Sequence, residues 1–160
     1  RSNHMNNQRR ILLKGSLAAS ALGVAVGSGL LAPRTVLAAW PEAAFKAKDP
    51  AAAMKELTGM DQMAESGDIR IKAPDIAENG AVVPVTVDTS IAGVESISVI
   101  AVNNPSPLVA SYELGEGASG FVSTRIKMGK SGDVVAVVKA GGKLHSAKKE
   151  VKVTIGGCGG

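Results

Sequence analysis

From Asp68 onward the sequence keeps one rhythm: short β-branched runs, each closed by glycine or asparagine turn chemistry, with no helical period between them. The runs are Ile69 to Lys72, Ala81 to Asp88, Val94 to Val102, Leu108 to Leu114, Gly120 to Lys127, Val134 to Lys139 and Leu144 to Ile155. Gly80, Gly93, Asn103-Asn104-Pro105, Gly115-Glu116-Gly117, Gly129-Lys130-Ser131-Gly132 and Gly141-Gly142 separate them. A parallel sheet needs crossover segments of a dozen or more residues, and none is available. About seven strands in fewer than 90 residues therefore predict an all-β chain, an immunoglobulin-like antiparallel β-sandwich. Val151, Val153 and Ile155 alternate with Lys152 and Thr154, which gives the last strand one inward and one wet face. That strand is long enough to carry a bulge. Pro84 and Pro107 lack the ladder donor and must sit at edges or strand starts.

Before the strands lies a short helical arm. Asp49-Pro50 and a closing Gly59 bracket the helix formers from Ala51 to Thr58, a capping residue, a first-turn proline and a terminal glycine. A shorter helical piece is expected around Glu42 to Lys46. Met54, Leu57, Met60 and Met63 form an apolar set that serves either a partner or the chain's own sandwich.

The charge of the 160-residue chain is divided unevenly. Its formal +4 comes from 18 Lys and Arg against 14 Asp and Glu. Five of those cations (Arg1, Arg9, Arg10, Lys14, Arg34) precede residue 39 and every anion follows it, leaving 13 cations against 14 anions, a formal −1. The basic character belongs to the leader. Arg1 to His4 read as a cloning remnant (1–4). Residues 5–38 read as an export signal: Arg9-Arg10, then Leu12, Leu13 and Lys14, then Gly15 to Ala32 without a charge, then the small-residue cleavage pattern Val36-Leu37-Ala38. The paired arginines resemble the twin-arginine signal, with Leu12 where that pattern prefers phenylalanine. A membrane anchor needs about 20 apolar residues without a cleavage site, so no stable membrane insertion is expected after cleavage. The expected location is periplasmic. The expected division of the remainder is a helical arm (39–66), a sandwich (67–155) and a C-terminal arm (156–160).

Several chemistries are excluded. Nucleic-acid binding lacks both basic charge after residue 38 and stacking aromatics, the chain having four aromatic residues, Trp40, Phe45, Tyr112 and Phe121. One cysteine forbids an internal disulfide and a thiolate metal cluster. His145 is the one histidine after the leader, and a lone strand histidine is usually structural. Gly115 to Gly120 spells a glycine-x-glycine-x-x-glycine, but it joins two strands and puts Glu116 where phosphate would sit. Lys148-Lys149 guards a strand edge.

What remains is the terminal Gly156-Gly157-Cys158-Gly159-Gly160, directly after the last strand. Four glycines around one thiol make a slender, flexible arm on which Cys158 stands on the order of 10 Å beyond the sheet. Such a tether suits a carrier whose cargo must enter narrow active sites on other proteins. The thiolate is the reactive form, and the terminal carboxylate nearby disfavours it, so activation is expected from partners. An exposed thiol also invites homodimers through Cys158.

This terminal motif, with Val151-Lys152-Val153-Thr154-Ile155 before it and the paired-arginine leader, resembles the SoxY family of sulfur carriers of periplasmic thiosulfate oxidation. Asn103-Asn104-Pro105-Ser106-Pro107-Leu108 and Ser123-Thr124-Arg125-Ile126-Lys127-Met128 are similar to that family too. The resemblance implies a carrier, not an enzyme, with an immunoglobulin-like fold and a SoxZ-like partner subunit. It maps the substrate-bearing cysteine onto Cys158 and the arm onto Gly156, Gly157, Gly159 and Gly160. It further implies a haem-containing c-type cytochrome that joins thiosulfate to the thiol, a dimanganese hydrolase that releases sulfate, and a molybdenum-dependent sulfane dehydrogenase. No cofactor is expected in this chain. The residues alone leave open a thiol enzyme using His145 as base, a carrier that uses its terminal Gly-Gly as an adenylated carboxylate, and a secreted binding module. The export leader disfavours the second, since that activation needs cytoplasmic ATP.

Overall fold

The computed structural model describes residues 40–154, so the export-signal arginines Arg9 and Arg10, the leader, and Ile155 to Gly160 with Cys158 lie outside the described residues. Two helices, α1 (Glu42–Lys46) and α2 (Pro50–Thr58), precede nine strands: β1 (Met63–Glu65), β2 (Ile69–Lys72), β3 (Ile76–Ala77), β4 (Val83–Thr89), β5 (Val94–Ala101), β6 (Leu108–Glu113), β7 (Phe121–Ile126), β8 (Gly132–Ala140) and β9 (Lys143–Val153). The larger sheet runs β1-β9-β8-β5-β6 with β3 also paired to β9, and the smaller runs β2-β4-β7. The β-sandwich expected from the alternation is the observed fold.

Alternation explains the core between the sheets. Val83, Val85 and Val87 of β4 face Ile97, Val99 and Ala101 of β5 and Val134, Ala136 and Val138 of β8. The other face of the larger sheet is also covered. Ile100, Leu108, Val137 and Leu144 pack against Ala44, Ala53 and Met54 of the helices, with Leu57, Met60 and Met63 beside them. The methionine set therefore belongs to the chain's own body, and the molecule has three layers. This double covering is why β5 is buried continuously from Ser96 to Ala101, where a half-wet strand would alternate.

The helix signals act as read. Asp49 accepts a hydrogen bond from the Ala52 amide at 2.9 Å, Pro50 opens α2, and Gly59 closes it at φ 78°. Pro84 is tolerated in a central strand because β2 pairs only with Thr86 to Thr89, so at Pro84 the strand has a neighbour on one side alone. Pro107 stands just before β6.

Four features differ from the expectation. The arm is not helical to residue 66: Met63–Glu65 forms β1, parallel to Leu144–Ser146 of β9. Ile76–Ala77 forms β3, also parallel to β9, at Lys152 and Val153. The bulges fall in β5, between Val94 and Ser96 and between Val99 and Ile100, and none interrupts β9. β4 starts at Val83 because Asn79 occupies the two preceding amides, its side chain accepting from Ala81 and its carbonyl from Val82.

Candidate functional site

Strand direction sends β9 to the pole where β5, β7 and β2 also end and where β4, β6 and β8 begin. The loops there are 73–82, 102–107 and 127–131. Loops 73–82 and 127–131 contact the last two described residues, Val153 and Thr154, and loop 102–107 bonds to 127–131 behind them.

One side of this root is held by β3. The Lys152 amide donates to the Asp75 carbonyl at 2.9 Å, and the Thr154 amide to the Ala77 carbonyl at 3.1 Å. The Thr154 hydroxyl donates to the Glu78 carbonyl. The other side is held by a side chain. The β8–β9 ladder stops at Gly132 and Val151, and the next position is taken by Ser131, whose hydroxyl accepts from the Val153 amide at 2.8 Å and donates to the Val153 carbonyl. Ser131 is fixed in turn by Asn103, which donates to its carbonyl at 2.7 Å. Asn104 ties the neighbouring loop down by donating to the Lys127 carbonyl at 2.7 Å and accepting from the Gly129 amide at 2.9 Å. Underneath, Gly80 accepts from the Met128 amide, and a methyl group there would come within 2.7 Å of Val153 Cγ1 and collide with the Met128 carbonyl. The strand preceding the terminal segment is thus pinned to its tip.

The two internal segments singled out in the sequence both arrive at this pole, Asn103 to Leu108 through its asparagines and Ser123 to Met128 through Lys127 and Met128. Gly80 and Ser131 read in the sequence only as turn residues between strands, and β3 gave no strand signal. Ser131 stood in a turn, and the only signal it gave was a hydroxyl directly before the strand that pairs with β9.

The remaining candidates lie elsewhere. His145 is half-buried near the start of β9, paired in the ladder with Val138 and Ala64. Nine residues of strand separate it from Thr154, roughly 30 Å at about 3.3 Å per residue. Cys158 is four residues beyond Thr154, at most about 14 Å of chain, so His145 is out of reach as its base within one molecule. Gly115 to Gly120 is the β6–β7 loop at the opposite pole, turned by a hydrogen bond from the Ala118 amide to the Gly115 carbonyl. Lys148 and Lys149 occupy the stretch of β9 between β1 and β3, with Lys149 3.0 Å from the Asp75 carboxylate. Among the described residues no group of three His, Cys, Asp or Glu is placed to hold a metal ion, and no helix is long and apolar enough to cross a membrane.

A three-layer β-sandwich pinned at the tip of its last strand is the class of fold the described residues define, and a glycine-flanked cysteine follows it in the sequence. A family model described as sulfur oxidation protein SoxY matches residues 54–158, a span that includes Cys158. The chain belongs to the SoxY family. It is similar to the solved structure of the sulfur carrier protein SoxY from Chlorobium limicola f thiosulfatophilum, at 50% identity and a TM-score of 0.59, covering 64% of this chain and 94% of that one. A superoxide reductase (neelaredoxin) from Ignicoccus hospitalis follows at 21% identity and a TM-score of 0.48, covering 54% and 80%, and carries no functional argument. Among curated proteins none matches. The family makes this chain a sulfur carrier of sulfur oxidation, working with the other members of the Sox system.

Proposed function

We propose that the chain holds pathway intermediates covalently on Cys158 and presents them to partner enzymes on an arm freed by Gly156, Gly157, Gly159 and Gly160. The observation that carries this reading is the doubly held root at Val153 and Thr154: a tether needs a fixed origin, and the fold spends three loops on making one. The glycines then add freedom at no steric cost.

The chemistry balances with the cysteine as acceptor. The thiol and thiosulfate join through a new sulfur–sulfur bond, one proton leaves, and two electrons pass to a cytochrome partner. Water then cleaves the terminal sulfur–sulfonate bond, sulfate departs with the release of two protons, and a persulfide anion stays on Cys158. The haem and manganese for these two steps would belong to the cytochrome and the hydrolase, and the molybdenum for oxidising the remaining persulfide sulfur to the sulfane dehydrogenase, while this chain supplies attachment and reach. The compartment is the periplasm, reached through the Arg9-Arg10 leader, and a SoxZ-like subunit completes a heterodimer.

Cys158→Ser tests the reading directly. With thiosulfate and the thiosulfate-oxidising cytochrome present, the wild type is expected to gain a thiosulfate adduct and the variant none. Equal loading of both would refute it.

A further inference from the structure

We propose that Asn103 is a positioning residue for loading: lying across Gly132, it fixes Ser131 and, through Ser131, the origin from which the cysteine arm leaves the body. This rests on the carrier reading above and assigns part of that work to a side chain outside the last strand.

Backbone pairing between β8 and β9 ends at Gly132 and Val151, and Val151 is fully buried. Val153, two residues on, is held on this side by the Ser131 hydroxyl. A hydroxyl in a turn holds only as firmly as its own backbone is held, so the stiffness of the root depends on what fixes residue 131. Two consecutive asparagines do this. Asn104 takes the start of loop 127–131, donating to the Lys127 carbonyl and accepting from the Gly129 amide, and Asn103 takes its end, donating to the Ser131 carbonyl at 2.7 Å. The backbone around them is set in turn: the Val102 amide donates to the Asp133 carbonyl and the Asn104 amide to the Ala101 carbonyl, both at 3.0 Å. The grip is thereby carried from the end of β5 to the end of β9.

Gly132 is shaped to this contact. It is not among the glycines with positive φ, and it opens a strand, where glycine weakens the structure, so no turn calls for it. What calls for it is the Asn103 side chain. A methyl group on Gly132 would collide with Asn103 Nδ2 and come within 2.9 Å of its Cγ. A side chain there pushes away the amide that holds Ser131.

Without that amide, Val153 keeps only the β3 side of its support, the bonds of Lys152 and Thr154 to the Asp75 and Ala77 carbonyls. The proposed arm then starts nearer Val151 than Thr154, seven residues from Cys158 instead of four. Effective concentration falls with about the −3/2 power of tether length, so the thiol is diluted roughly twofold at the entrance of an enzyme that has already docked. That lowers kcat and leaves KM for the carrier alone, because no docking contact is removed.

The experiment uses the full chain with Asn103→Ala, Gly132→Ala and the two combined, and Met54→Ala as a variant that weakens the core away from the root. A nitroxide on Cys158 and a second on Phe121→Cys, at the opposite pole, report the spread of arm-to-body distances by double electron–electron resonance. Loading by the thiosulfate-oxidising c-type cytochrome at varied carrier concentration, without the labels, reports kcat and KM. Asn103→Ala and Gly132→Ala are each expected to broaden the distance distribution and to lower kcat about twofold with KM unchanged. The combined variant should match Asn103→Ala, since what the methyl group displaces is already gone. Met54→Ala should change neither. An unchanged distribution in Asn103→Ala, or a broader one with unchanged kcat, would overturn the proposal. So would a rise in KM at constant kcat, which would make Asn103 a docking contact, or an equal fall in kcat with Met54→Ala, which would make the effect one of stability. Loading that survives Cys158→Ser would sink the carrier reading instead, a result on which the distance distributions do not depend.

Discussion

Ser131 carries more than its place in a turn suggests. Its hydroxyl stands in for a ladder position that β8 no longer provides, and it both accepts from and donates to Val153. Ser131→Ala should cost about 0.5–1.5 kcal/mol, the usual net value of a hydrogen bond, since the site is exposed and water can replace part of it. The expected signature is local: the Val153 amide exchanges faster with solvent, while amides in the middle of β9 keep their protection. Uniform loss of protection along β9, or none at Val153, would count against the latch. Cys158 stands out in the sequence because four glycines flank it, whereas Ser131 does not, because its role depends on which strand lies across from it. Asn103 and Asn104 read correctly as turn residues, but their targets, Ser131, Lys127 and Gly129, come from a different loop that only the fold brings near.

At the scale of elements, the seven longer strands could be read from alternation and turn chemistry, and their boundaries shift by a few residues at most. β1 and β3 could not. With three and two residues they are too short to show a period, and their parallel pairing to β9 is set by where the chain passes, not by composition. The helical layer was legible as helix, while its apolar set left a partner and the chain's own sandwich as alternatives, which the packing on Ile100, Leu108, Val137 and Leu144 decides. Met54 is 1% exposed between α2 and the larger sheet, so Met54→Ala should destabilise the fold by about 2–5 kcal/mol, measured by chemical denaturation. A loss under about 1 kcal/mol would mean that the helices do not seal that face. The first β5 bulge has its own consequence. It inserts Glu95 opposite β8, where the carboxylate lies 2.8 Å from Lys139. The hydrogen bond and charge of Lys139 hold Glu95 below its ordinary 4.5, and Glu95 raises Lys139 above its ordinary 10.5. The pair's contribution is therefore complete between those values. It is lost as pH falls through the folded-state value of Glu95 below 4.5, and again as pH rises through that of Lys139 above 10.5. Denaturation midpoints of wild type and Glu95→Gln should differ by a small, steady amount in between and converge below 4.5, with added salt shrinking the difference. A difference that grows on acidification contradicts the assignment.

For the whole molecule, the proposed function divides the work between the folded body and the segment that follows Thr154. The core lies between and beside the sheets, and among the described residues the last root contacts are those of Val153 and Thr154. A chain ending after Ile155 is therefore expected to melt within a few degrees of the full chain, since about 1 kcal/mol shifts a domain of this size by only a few degrees, and to lose all loading. Retained loading would return the binding surface, not the arm, to the centre of the account. The measurement that tests the central claim most directly is the intact mass of purified chain after thiosulfate and cytochrome, before and after reduction, with Cys158→Ser alongside. The expected result is one reducible thiosulfate adduct, confined to the wild type and located by fragmentation on the C-terminal peptide. An adduct that persists in Cys158→Ser, or that maps to the folded body, would contradict it.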